Sequence, residues 1–96
     1  MNYLDIKTGE LFINKKKYEL TKMECKILTS LLNNEMQTYT QIYNFIYDEN
    51  EKYVDCNLTN FIRTHLSRMR NKGLTIITKY GFGARLVDKI ELKNGE

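Results

Sequence analysis

The sequence has no proline, no tryptophan, two cysteines, one histidine and five glycines in 96 residues. With no proline and little glycine, no stretch has the composition of a flexible linker, and no self-similar period marks a repeat. Cys25 and Cys56 show neither C-x-x-C spacing nor neighbouring histidines, so they read as two reduced thiols and not as a disulfide or a metal site. Apolar runs stop at three residues, too short for a membrane span, and no charged start followed by an apolar run marks a signal peptide. A cytoplasmic protein is therefore expected. Ser-His-Asp and Cys-His spacings, a phosphate-cradling glycine loop and a carboxylate pair at a predicted cleft are all missing, so neither an enzyme nor a cofactor is implied.

The most informative shortage is local. From Asn57 to Leu86 there is no Asp or Glu, against six basic residues: Arg63, Arg68, Arg70, Lys72, Lys79 and Arg85. Before Asn57 the chain holds seven basic and nine acidic residues, and from Asn57 onward eight and three, although the whole is only +3. Hydrophobic residues make up 42% and aromatics 11%, which argues for a folded globule and, at this length, for one domain over residues 1–96.

Taken in order, Tyr3 to Ile6, Glu10 to Ile13 and Lys17 to Leu20 read as three short antiparallel strands, with Gly9 and Asn14 supplying turn chemistry. Lys15 to Lys17 read as a phosphate contact or, more simply, as an exposed turn. Thr21-x-x-Glu24 forms a capping box at the start of a helix whose apolar side is Met23, Ile27, Leu28, Leu31 and Leu32. Glu24 projects toward that apolar side, and the cap accounts for it. Asn33 and Asn34 end the helix, and Thr38-x-x-Gln41 opens a second, with Ile42, Phe45 and Ile46 as core and Tyr39, Tyr43 and Tyr47 around them. The tyrosines suit helix packing better than a base-stacking platform. Asp48 to Asp55 is an acidic connection, expected to point away from any polyanion.

Leu58 to Lys72 then places Leu58, Phe61, Ile62, Leu66 and Met69 on one stripe of a helix. The opposite face offers Asn60, Arg63, Thr64, Ser67 and Asn71, flanked by Arg68, Arg70 and Lys72. Arginine forks beside short hydrogen-bonding side chains suit phosphate oxygens and base edges in a major groove; a solvated surface helix carries similar residues. Gly73 closes the helix. Leu74 to Lys79 and Ala84 to Val87 form a hairpin with Gly81-Phe82-Gly83 at its tip, and residues 88–96 extend the last strand through Ile90 and Leu92 before fraying.

Ile62-Arg63-Thr64-His65-Leu66-Ser67-Arg68-Met69-Arg70-Asn71-Lys72 resembles the V-D-V-H-I-x-x-L-R-x-K recognition helix of OmpR/PhoB-type winged-helix domains, the DNA-binding modules of bacterial response regulators. Ile77-Thr78-Lys79-Tyr80-Gly81-Phe82-Gly83-Ala84-Arg85-Leu86 is similar to their I-x-T-V-R-G-x-G-Y-R-L wing, and Leu20-Thr21-x-x-Glu24 to their L-T-x-x-E. The matches span about residues 10–87. The resemblance implies an α+β winged helix-turn-helix fold: an N-terminal antiparallel sheet, three helices and a C-terminal β-hairpin wing. It implies sequence-specific binding of double-stranded DNA and transcriptional regulation, with helix 58–72 in the major groove and wing 76–87 on the adjacent backbone. Asn60, Arg63, Thr64, Ser67 and Arg68 would meet DNA in the helix, with His65 either a phosphate contact or a packed neutral histidine. Arg70 takes the position that braces the helix by ion pairing, and Lys72 lies on its flank. In the wing, Thr78, Lys79, Tyr80 and Arg85 would face the backbone.

The sequence departs from the family pattern in several places: the wing segment lacks the residue between Ile77 and Thr78, and the link from helix to wing is unusually short. Tyr80 stands where the wing usually carries arginine, Ala84 where it carries tyrosine, Arg63 replaces an aspartate, and Gly73 replaces a leucine. The 96 residues hold no receiver domain. Tandem or homodimeric binding on DNA, and an RNA polymerase contact through residues 48–55, are further expectations from the resemblance. The alternative is a winged-helix protein-interaction module, an adaptor or antirepressor, without specific DNA binding.

Overall fold

The two capping boxes form as expected and punctuate the fold of the computed structural model, which describes residues 1–46 and 58–93. Thr21 N–H donates to Glu24 Oε1 at 2.8 Å and Glu24 N–H to Thr21 Oγ1 at 3.1 Å, opening α1, Lys22–Ser30. Thr38 and Gln41 exchange the equivalent bonds at 2.8 and 3.0 Å at the start of α2, Tyr39–Ile46. Each box satisfies amide groups that a helix start otherwise leaves unpaired. The third helix is α3, Leu58–Arg70. The acidic connection and Tyr47 lie outside the described residues.

Ahead of the helices, β1 (Tyr3–Asp5), β2 (Glu10–Ile13) and β3 (Lys16–Glu19) pair antiparallel. Asn14 and Lys15 both have positive φ, 53° and 66°, which makes the two-residue β2–β3 turn type I′, matched to strand twist. After α3 come β5 (Ile76–Lys79) and β6 (Gly83–Leu86), an antiparallel hairpin. A two-residue strand before α2, β4 (Gln37–Thr38), pairs with β6 and makes this a three-stranded sheet of order β4-β6-β5. Two polar residues carry no strand signal in the sequence. Their pairing depends on Gly83, because a Cβ there would overlap the Gln37 carbonyl oxygen.

Residues after Val87 do not extend the hairpin, whose last bond is Val87 N–H to Thr75 O at 2.9 Å. Asn34 Nδ2 donates to the carbonyls of Leu86 (2.9 Å) and Asp88 (2.8 Å), and Asp88 Oδ2 accepts from Thr75 N–H at 2.6 Å, so the chain turns away from β5. Glu91–Lys93 then forms β7, which pairs parallel with β1 and makes the N-terminal sheet four-stranded and mixed, order β3-β2-β1-β7.

Leu4, Leu11 and Ile13 of the sheet meet Ile27 and Leu28 of α1 with Leu31 at its C-terminal cap, Tyr39, Ile42 and Ile46 of α2, and Ile62, Leu66 and Met69 of α3 in one buried cluster. Full burial of such side chains stabilises by about 2 kcal/mol each. Phe45, expected in the core, is 56% exposed, and Tyr39 is buried instead. The α2 stripe runs Tyr39, Ile42, Ile46; Phe45 sits about 100° around the helix from Ile46, off that stripe.

Glu24 is the one buried charged residue among those described, 1% exposed, and its partner is Lys72. Lys72 Nζ lies 2.9 and 3.1 Å from the two carboxylate oxygens and 3.2 Å from the Glu19 carbonyl, tying α1, α3 and β3 together. Burial opposes ionisation of Glu24; the Thr21 amide and the Lys72 ammonium outweigh it and hold the carboxyl below its usual range. The ion pair's stability is therefore present above the ordinary carboxylate range and lost as pH falls through the lowered value.

Lys72→Met strands a buried carboxylate and is expected to destabilise the fold by about 3 kcal/mol in urea unfolding near neutral pH. Glu24→Gln should lose less stability than the wild type between about pH 7 and about pH 3; an unchanged acid limb would remove Glu24 as its source. Gly83→Ala should cost about 1–3 kcal/mol by forcing β4 off β6.

Candidate nucleic-acid interface

Helix α3 presents one uninterrupted polar face. At 3.6 residues per turn, Asn60, Thr64, Ser67 and Asn71 project within about 60° of one another, with Arg63 on one flank and Arg68 on the other. All six are exposed, whereas Ile62, Leu66 and Met69 opposite them are fully buried. Thr64 Oγ1 donates back to the Asn60 carbonyl at 2.8 Å, which leaves its oxygen lone pairs outward as acceptors. No carboxylate interrupts the face. The α3 stripe packs on α2 and α1, so the core chooses which side is outward.

His65 sits at the border of the two faces, half-buried. Its Nδ1 lies 2.9 Å from the Phe61 carbonyl and its ring tilts against the Phe61 ring with centroids 4.7 Å apart. A carbonyl only accepts, so Nδ1 carries a proton; a phosphate bond through Nε2 then requires a second one.

The two remaining cations of the helix end, exposed Arg70 and half-buried Lys72, make bonds within the protein. Arg70 braces the helix as anticipated, but by hydrogen bonds and not by an ion pair. Its Nε and one terminal nitrogen donate to the Ile76 carbonyl at 3.0 and 2.9 Å, and the latter reaches Thr78 Oγ1 at 3.3 Å. Val87 N–H bonds Thr75 O at 2.9 Å and Phe82 N–H bonds Lys79 O at 3.0 Å. By strand alternation the Ile76 carbonyl points off the open edge of β5, where Arg70 takes it. The ammonium of Lys72, expected on the flank of the polar face, is turned inward to Glu24. The helix stops at Arg70 because Lys72 and Gly73 close it through bonds to Met69 O and Arg70 O, both 3.0 Å, with Gly73 at φ +94°.

The hairpin thus stands beside the C-terminal turn of α3. Its tip is the turn Lys79 to Phe82, closed by the Phe82 amide, with Gly81 at φ +69° in the third position, where a type II turn requires it. Tyr80 in the second position is 94% exposed, and Lys79 Nζ rests 5.3 Å from the Phe82 ring centroid. Thr78 is exposed beside Arg70, and Arg85 is half-buried opposite Ile77 on the neighbouring strand. Ile77 and Phe82, 44% and 45% exposed, join Tyr80 as a tip that sequence reasoning undervalued. The alternation of Ile76 and Ile77 on a strand was the available signal, since one of the two must face outward.

Among the described residues no group of three or more His, Cys, Asp or Glu side chains is placed to hold a metal ion, and no helix is long and apolar enough to cross a membrane. Two open cavities among the described residues, about 280 Å³ beside Asn34 and Ile90 and about 320 Å³ beside Cys25 and Leu20, lie outside α3 and the hairpin.

The DNA-binding domain of the response regulator AdeR, solved in complex with an intercistronic region, superposes on this arrangement with a TM-score of 0.64, covering 88% of this chain and 92% of its own at 19% identity. The chain has a winged-helix fold. No protein-family model and no curated protein matches the sequence. At this identity the likeness carries the fold alone.

Arg70→Met removes the brace while keeping the stem. The hairpin should open more readily, with amide exchange at Arg85 and Val87 rising about fivefold, equivalent to about 1 kcal/mol, while core amides of α1 stay protected.

Proposed function

We propose that the protein binds double-stranded DNA in a sequence-specific manner and regulates transcription. The observation that carries this reading is the carboxylate-free outer face of α3, with Arg63 and Arg68 flanking Asn60, Thr64 and Ser67, held beside a cationic hairpin. In the proposed complex α3 enters a major groove. Arg68 and Arg63 supply guanidinium forks for guanine edges or phosphates, and Asn60, Thr64 and Ser67 supply short donors and acceptors for the bases between them. Protonated His65 reaches a phosphate oxygen. Thr78, Lys79 and Arg85 meet the neighbouring backbone, and Tyr80, lacking the charge of an arginine, lies against sugar and backbone at the wing tip. Arg70 and Lys72 serve by holding the helix and the hairpin at a fixed spacing. The protein acts where the chromosome is, in the cytoplasm of a bacterial cell, and neighbouring copies occupy adjacent sites on one duplex.

Selection of bound sequences from a random duplex pool, followed by titration of the recovered site against a scrambled control, tests the reading. A motif bound far more tightly than the control supports it, and binding that is weak, unselective and erased by salt defeats it in favour of a protein partner. On the recovered site, Arg68→Ala should lower the preference over the control by about tenfold to a hundredfold. Lys79→Ala should weaken both duplexes alike and reduce the log-log salt slope by about one.

A further inference from the structure

Among the described residues the two sheets have four outer edges, β3 and β7 in one and β4 and β5 in the other, and those of β3 and β5 are guarded. On β3, the Leu20 amide bonds Gly9 O at 2.8 Å, so by alternation the Glu19 carbonyl points off the sheet, where the Lys72 ammonium takes it at 3.2 Å. On β5 the outward Ile76 carbonyl is taken by Arg70. Both cations come from the C-terminal end of α3, and each occupies the acceptor that a foreign strand would use. At β7, the far edge of the N-terminal sheet, no side-chain guard of this kind stands among the described residues.

The backbone of β7 is oriented for pairing. Glu91 N–H bonds Asn2 O at 3.0 Å and Ile6 N–H bonds Lys93 O at 3.3 Å, so Glu91 and Lys93 direct their backbone groups at β1. Leu92 therefore turns its amide and carbonyl outward. All three residues are exposed, Leu92 by 43%.

We infer that β7 pairs with β7 of a second copy of this chain, antiparallel and centred on Leu92. The two-fold axis through that register gives reciprocal N–H···O bonds between the two Leu92 residues, the pattern of a hydrogen-bonded antiparallel pair. It sets Glu91 opposite Lys93 of the other copy, and Lys93 opposite Glu91, on the outer face, and brings the two exposed Leu92 side chains together on the inner one. The triplet Glu-Leu-Lys is self-complementary in this register. A parallel arrangement in register would oppose like charges. Lys93, whose Nζ lies 4.2 Å from the Tyr3 ring centroid, is held on the outer face where its counterpart glutamate arrives. Pairing at β7 leaves α3 clear, because α3 reaches the sheet at the opposite edge through Lys72 and Glu19. Three residues a side bury far less than the roughly 1,000 Å² of a stable interface, so the contact is weak alone and forms at high local concentration.

Sedimentation velocity of the full chain over a concentration series, at low salt and without DNA, tests this separately from the DNA reading. The wild type should show a concentration-dependent rise toward dimer. Glu91→Lys and Lys93→Glu, each alone, oppose like charges and should raise the half-association concentration at least about tenfold. An equimolar mixture of the two variants restores both opposite-charge pairs and should recover wild-type association. Leu92→Pro removes the outward amide while leaving the β1 bonds, which use Glu91 and Lys93, and should also be monomeric with an unchanged circular dichroism spectrum. A wild type that stays monomeric throughout, or dimers unaffected by Leu92→Pro and by both charge reversals, would overturn the inference.

Discussion

The buried contact between Glu24 and Lys72 is the constraint on which the arrangement rests. A carboxylate with 1% exposure must be compensated, and the fold compensates it with the Thr21 amide from its own helix start and an ammonium from the end of α3. That requirement sets where α3 ends relative to α1, and the same ammonium reaches the Glu19 carbonyl of the sheet. One short ion pair thereby joins helix, helix and strand at a point where the apolar stripe alone would permit sliding. Ion pairs of this kind specify geometry more securely than they add net stability, because desolvation offsets much of the attraction.

From that fixed end the next device follows. Arg70, two residues before Lys72, carries the position of α3 into the hairpin by taking the outward carbonyl of Ile76. In the DNA complex proposed above, the spacing between the α3 face and the hairpin is what a duplex would measure, since groove and neighbouring phosphates lie at a set distance. Two cations that appear in the sequence as part of a basic patch thus serve the frame. The outward charge not engaged with the backbone belongs to Arg63, Arg68 and Lys79, with the half-buried Arg85 and the exposed but bonded Arg70 beside them.

The altered wing shows how a fold tolerates local change. Gly81 and Gly83 do different jobs: Gly81 supplies the positive φ of a tight turn, and Gly83 permits the close approach of β4 to β6. Between and beside them, Tyr80 and Phe82 meet no such backbone requirement and are exposed. The wing tip is free to vary chemically while its backbone is held, which suits a segment that tunes a contact.

The order of helices, the two capping boxes, the buried stripes of α1 and α3, the hairpin and the polar face of α3 were all legible in the sequence, because periodicity, caps and turn residues are local and leave a pattern within a few residues. Phe45 misled because α2 is short and two adjacent stripes compete for its core side. What the sequence could not decide was long-range pairing: β4 docking on β6, β7 joining β1 rather than continuing β6, Lys72 turning inward to Glu24, and Arg70 reaching a backbone carbonyl. Each joins residues distant in the chain, or depends on which carbonyl points outward from an edge. Such choices are made by packing and desolvation in the assembled structure, so only the tertiary fold separated the cations that brace the helix from those that face outward.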